Sequence, residues 1–106
     1  MRHKATTPRA RLTAKLDAEF SKVLRERVGK CEICGKPGIE PHHVVKRRFT
    51  WGRWNPDAVL WVCRGCHTII DANPPQFMDW LEVKYPEKSR CYQERHLHDG
   101  LKLLEM

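Results

Sequence analysis

The chain has 106 residues, five cysteines, 20 Lys and Arg against 13 Asp and Glu, a net charge of +7 and a pI near 9.4. That length allows one small domain, whose limited core would benefit from a metal staple. No window approaches the length of a membrane span. Cysteines without an apolar secretory segment point to thiolates in a reducing cytoplasm rather than to disulfides, and the basic charge favours a polyanionic partner, usually nucleic acid.

Residues 1–12 contain Thr6-Thr7-Pro8 and the basic residues Arg2, Lys4, Arg9 and Arg11, with no acidic residue and no periodicity. This predicts a flexible arm that could track phosphates, although an Arg-rich targeting peptide has the same composition. Residues 13–106 are expected to form a single domain. Helix is predicted from near Thr13, because Leu16, Phe20, Val23, Leu24 and Val28 make one apolar stripe, and Gly29 suits a C′ stop. After the Cys31 to Cys34 segment, residues 39–46 and 58–62 read as two short strands of a hairpin, the first holding His42, His43, Val44 and Val45.

Residues 47–56 form an aromatic and basic excursion longer than a tight hairpin needs, which makes it a candidate substrate loop. Lys46, Arg47, Arg48 and Arg53 lie beside Phe49, Trp51 and Trp54, so the cations would contact phosphates while the rings stack on bases or sugars. The same residues would also suit an ordinary solvated loop. Residues 64–72 read as a helix with Ile69 and Ile70 inward, ended by Asn73-Pro74-Pro75. Asn73 then caps a further helix with Phe77, Trp80, Leu81 and Lys84 on one face, stopped at Tyr85-Pro86. A last helix is predicted through Leu97, Leu101 and Leu104.

The strongest chemical signal is a pair of C-x-x-C segments, Cys31/Cys34 and Cys63/Cys66. Each places two thiolates about one turn apart, and together they supply the four ligands of a closed, structural zinc site. The fifth, Cys91, reads as a half-buried small hydrophobe. Between the two segments stand the adjacent His42 and His43, and Cys66 runs directly into His67.

This order of metal-type residues, over roughly residues 29–73, resembles the HNH endonuclease family, many of whose members come from phages and mobile elements. The resemblance implies an α+β fold: a small zinc-stabilised ββα-metal core at about 29–73, with flanking helices that include C-terminal helices over 74–106. It also implies metal-dependent hydrolysis of DNA phosphodiesters, leaving 5′-phosphate and 3′-hydroxyl ends, and a possible phage or mobile-element protein partner. By the family's pattern His42 would bind the catalytic ion and His43 would be the general base. His67 would be the second ligand. Asp71, four residues on and on the same helical face, could reach the same ion, and its carboxylate would favour Mg²⁺ or Mn²⁺ more than an all-imidazole site does.

One motif position departs from the family. Relatives carry an asparagine about five residues before the third cysteine, where it braces the base histidine; this chain has Ala58 there. Asn55 is the nearest amide and would take the role if the loop folds back. If the missing amide limits the enzyme, Ala58→Asn raises cleavage. Two rival readings stand beside the nuclease. One is a zinc-stabilised nucleic-acid-binding module without chemistry, within a packaging or recombination complex; the other is a protein-interaction domain using the aromatic loop.

Overall fold

Helix α1 (Pro8–Arg27) starts at Pro8 rather than near Thr13, so residues 8–12 of the expected arm are helical. Thr7 is the reason: its Oγ1 accepts the Ala10 N–H at 3.0 Å, and Pro8 at the first position needs no amide partner. The helix ends where expected, with Gly29 at φ +71°. This computed structural model describes residues 7–97. Strand β1 (Glu40–His43) pairs antiparallel with β2 (Val59–Val62), and between them lie the short helix α2 (Thr50–Arg53) and a 3-10 turn over Pro56–Ala58. Helices α3 (Arg64–Ala72), α4 (Pro74–Lys84) and α5 (Pro86–Gln93) follow. The result is a mixed helical and small-sheet architecture, compatible with α+β, that carries a four-cysteine cluster.

Both faces of β2 are covered, which is why all four of its residues are buried. Leu60 and Val62 face one way, into a cluster with Cys31, Val44, Cys66, Ile70, Phe77 and Leu81. Val59 and Trp61 face the other way and meet Phe20 and Leu24 of α1. In α1 only Phe20 and Leu24 of the expected stripe are buried, because the two-stranded sheet is too short to cover more of the helix. In α3 Ile70 is buried while Ile69 is 70% exposed, correcting the expectation that both pack inward.

Asn73 caps α4 as expected, its Oδ1 accepting the Gln76 N–H. Pro86 does more than stop α4; it stands at the first position of α5, a helix the sequence reading did not separate. The expected last helix lies outside the described residues beyond Leu97. Among the described residues no helix is long and apolar enough to cross a membrane.

Ala58 is fully buried with Val45 and Phe49, and Gly52 packs so closely that a Cβ there would sit 3.3 Å from the Ala58 Cβ. An amide side chain at residue 58 would overpack this cluster and bury polar atoms without a ready partner. Ala58→Asn is therefore expected to cost about 2 kcal/mol or more and to lower the melting temperature by several degrees. Melting within a degree of the wild type would show that the cluster has room, and would return the substitution to its role as an activity rescue.

Candidate functional site

Two groups of metal-type side chains are brought together by the hairpin and α3. In the first, Sγ atoms of Cys31, Cys34, Cys63 and Cys66 lie 3.6–3.9 Å apart. Four thiolates at about 2.3 Å around a tetrahedral ion stand about 3.8 Å from each other, so the cluster fits zinc. The local structure prepares it: the Gly35 N–H returns to the Cys31 carbonyl at 2.9 Å, and Cys63 caps α3 by accepting the Cys66 N–H on its sulfur. Burial resists ionisation of Cys31, but backbone hydrogen bonds from Cys34, Cys63 and Ile33 hold its thiol below the ordinary range. Burial and the neighbouring sulfurs push Cys66 the other way. A divalent cation is what would let all four ionise together.

In the second group, ligand atoms of His42, His67 and Asp71 all lie within 4.8 Å of one another. His42 and His67 meet edge to face at 5.1 Å between ring centroids, and Phe77 of α4 backs His42 at 5.2 Å. Burial, reinforced by the charge of His67, pushes His42 down to about 4, so near neutral pH its imidazole is uncharged and offers a lone pair. His67 Nδ1 contacts Glu40 Oε1 at 2.9 Å, and its Nε2 lies 4.0 Å from Asp71 Oδ2. A carboxylate on one imidazole nitrogen fixes the ring and leaves the other for a metal. Glu40 was missed in the sequence, though a signal existed: it stands two residues before His42, hence on the same face of β1.

His43 faces the opposite side of the ribbon, toward Phe20, yet both histidines border one cavity of about 650 Å³ with His67, Asp71, Lys46 and Arg47. The local twist that this requires is a bulge: the Val44 and Val45 amides both reach the Ala58 carbonyl, at 2.9 and 3.3 Å. His43 Nε2 lies 3.0 Å from the Arg53 carbonyl oxygen. Because a carbonyl only accepts, Nε2 carries the proton, and the Nδ1 lone pair is left free. Burial lowers the His43 pKa, the Arg53 carbonyl opposes this, and the charges of Arg47 and Arg53 lower it further.

The brace of His43 therefore differs from the expected one. Asn55 does not supply it; its Oδ1 accepts the Asp57 N–H at 2.9 Å and caps the 3-10 turn, the local bond that asparagine favours. The Arg53 backbone does so instead, and it is held from the far side by Asp17. Asp17 Oδ1 and Oδ2 accept from Arg53 Nε and Nη2 at 2.9 and 2.6 Å, and Oδ1 also accepts the Trp54 indole N–H at 2.9 Å. The hydrogen bonds of Arg53 hold the Asp17 carboxyl below its usual range, against a partial opposing effect of burial. No sequence signal joins residue 17 to residue 53.

The same geometry changes the role expected for Arg53, whose fork is committed to Asp17 rather than presented to a phosphate. Lys46, Arg47 and Arg48 are exposed, Arg48 lying over the Phe49 ring at 4.8 Å. Trp51 is turned away from a free stacking role, its indole donating to the Arg95 carbonyl at 3.2 Å. Cys91 packs beside Val45, Phe49 and Ala58, with burial raising its thiol. Comparison with protein-family models, with curated proteins and with solved structures finds no match to this chain.

Proposed function

We propose that this chain is an HNH-like, ββα-metal endonuclease that hydrolyses DNA phosphodiesters, with a four-cysteine zinc holding the scaffold. The observation that carries this reading is the convergence on one cavity of His42, His67 and Asp71 with a separately braced His43. His42, His67 and Asp71 would hold a divalent ion, which when bound would supply positive charge against the scissile phosphate and the leaving oxygen. His43 takes a proton from water at Nδ1, because Nε2 is already used on the Arg53 carbonyl. His67 is kept in one tautomer by Glu40, and Lys46, Arg47 and Arg48 hold the flanking phosphates.

Plasmid cleavage with Mg²⁺, Mn²⁺ or Ni²⁺, and without added metal, tests this directly. Wild-type protein is expected to nick or linearise DNA only with the metal. His43→Ala should lose about 10²–10⁴-fold in rate, the range of a missing general base, while retaining DNA binding. If neither protein cuts while both bind, the domain is a zinc-stabilised nucleic-acid-binding module, a reading that the absence of a side-chain amide at His43 would then explain. Binding should weaken steeply with salt, since it rests on phosphate contacts.

A further inference from the structure

The apolar stripe of α1 overshoots the sheet. Phe20 and Leu24 are covered by Val59 and Trp61, but Leu16 and Leu12, which continue the stripe at intervals of four, are 39% and 57% exposed. These two leucines form one side of a groove of about 450 Å³ that Arg9, Arg47 and Trp54 complete. Asp17 fixes the Trp54 indole there through its N–H. Among the described residues neither Arg9 nor Arg47 forms an ion pair, whereas Arg53 is committed to Asp17. Arg47 also borders the cavity of His42, His43 and His67, so the groove and that cavity adjoin at one cationic residue.

We infer that this groove is a nucleotide subsite that receives the nucleotide next to the scissile phosphate with its base out of the stack. The inference rests on the phosphodiesterase reading of the adjoining cavity and adds the substrate class: DNA with an unpaired segment beside the cut. The charge pattern sets the polymer, since two unpaired guanidiniums beside an apolar wall match an anionic backbone carrying flat apolar faces. The chemistry of the wall sets the strandedness. Reading a base within a duplex takes polar groups aimed at its edge, whereas this groove is walled by the exposed Leu12 and Leu16, with the half-buried Trp54 ring beside the Arg53 guanidinium at 5.7 Å, an apolar surface that suits the face of an unstacked base. The groove thus gives a use to the cations and exposed leucines of α1 that the metal site leaves without one.

The test is fluorescence anisotropy in low salt without added divalent ions, so that nothing is cut and the zinc is kept. The probes are a blunt duplex, the same duplex with a single-stranded overhang, and the single strand alone. The overhang and the single strand should bind roughly tenfold or more tightly than the blunt duplex, the scale of one base stacked on a side chain. Arg9→Gln with Leu12→Ser, both at exposed positions outside the core, should remove most of that preference and leave blunt-duplex binding less affected. Equal affinity for all three probes, or a preference that the double variant retains, overturns the subsite. Metal-dependent plasmid cleavage in that case leaves the nuclease reading standing, whereas preference without cleavage overturns the nuclease reading and with it the placement beside a scissile phosphate, leaving only a groove for an unpaired segment. Absence of binding to every probe overturns both.

Discussion

Replacing Cys66 with serine, or stripping zinc with a chelator, is expected to abolish the cooperative fold rather than merely weaken it. Cys31 and Cys66 are buried in the same cluster as Leu60, Val62, Ile70, Phe77 and Leu81, so sulfurs placed to hold a metal are themselves part of the core. The sheet they support has only two strands of four residues each. Apparent binding free energies of structural zinc, about 10–16 kcal/mol in zinc-finger peptides, match or exceed the total stability of about 5–15 kcal/mol usual for a domain. A metal-free chain would also have to bury thiols around a vacant centre. The expected observations are one zinc per chain, loss of near-ultraviolet circular dichroism and of a sharp melt on chelation, and recovery when zinc is returned. Cys91→Ser should change none of these. A Cys66→Ser protein that binds no zinc yet melts within a few degrees of the wild type would refute the staple.

The second large effect is expected at Asp17, and it should fall on rate rather than on stability. Asp17 and Arg53 are partly exposed, at 34% and 21% of their side chains, so the ion pair is worth about 1 kcal/mol or less after solvent screening. The carbonyl of the same Arg53 sets the tautomer and direction of His43, and a misplacement of about 1 Å at a reacting group can cost about 10²-fold. Asp17→Asn keeps the shape and loses the charge. It should melt within a few degrees of the wild type while metal-dependent cleavage falls by about 10- to 100-fold. Nitrogen chemical shifts of His43 should show the proton no longer confined to Nε2, a signature that a purely structural role would not produce. Cleavage within twofold of the wild type would end the argument.

The pH dependence of this latch follows from the sign of its shift. Asp17 is depressed in the folded chain below the ordinary 3.8, so its contribution is complete above that value and is lost as pH falls through the folded pKa. Protonation of the four thiolates is expected to release bound zinc at a higher pH than this. Acid unfolding should therefore coincide with zinc release and be little changed in Asp17→Asn, which a pH titration of zinc content and circular dichroism would show.

The sequence by itself determined the parts whose chemistry is local. The spacing of Cys31/Cys34 and Cys63/Cys66 specifies a four-sulfur centre, because two short bites suffice to define it. The apolar run at 58–62 specifies a strand, and Asn73-Pro74 with Gln76 specifies a helix start. Thr7-Pro8 carried an equally local signal for the start of α1, outweighed by the basic composition around it. His67 and Asp71, one turn apart on α3, were likewise within reach of periodicity, and Glu40 alternates with His42.

Only the tertiary structure decided how His43 is held and which cations are free. The brace comes from the Arg53 backbone, ten residues along the chain, and that backbone is fixed by Asp17 from another helix. A carbonyl has no residue identity, and the partner of a surface carboxylate depends on how α1 crosses the hairpin. Neither can be inferred from spacing. The same crossing buries Ala58, turns Asn55 to its own local turn and leaves Leu12 and Leu16 open beside Arg9. Local bonding rules act over three or four residues and are written in the sequence, while the alignment of His43 and the shape of a groove arise where distant segments pack.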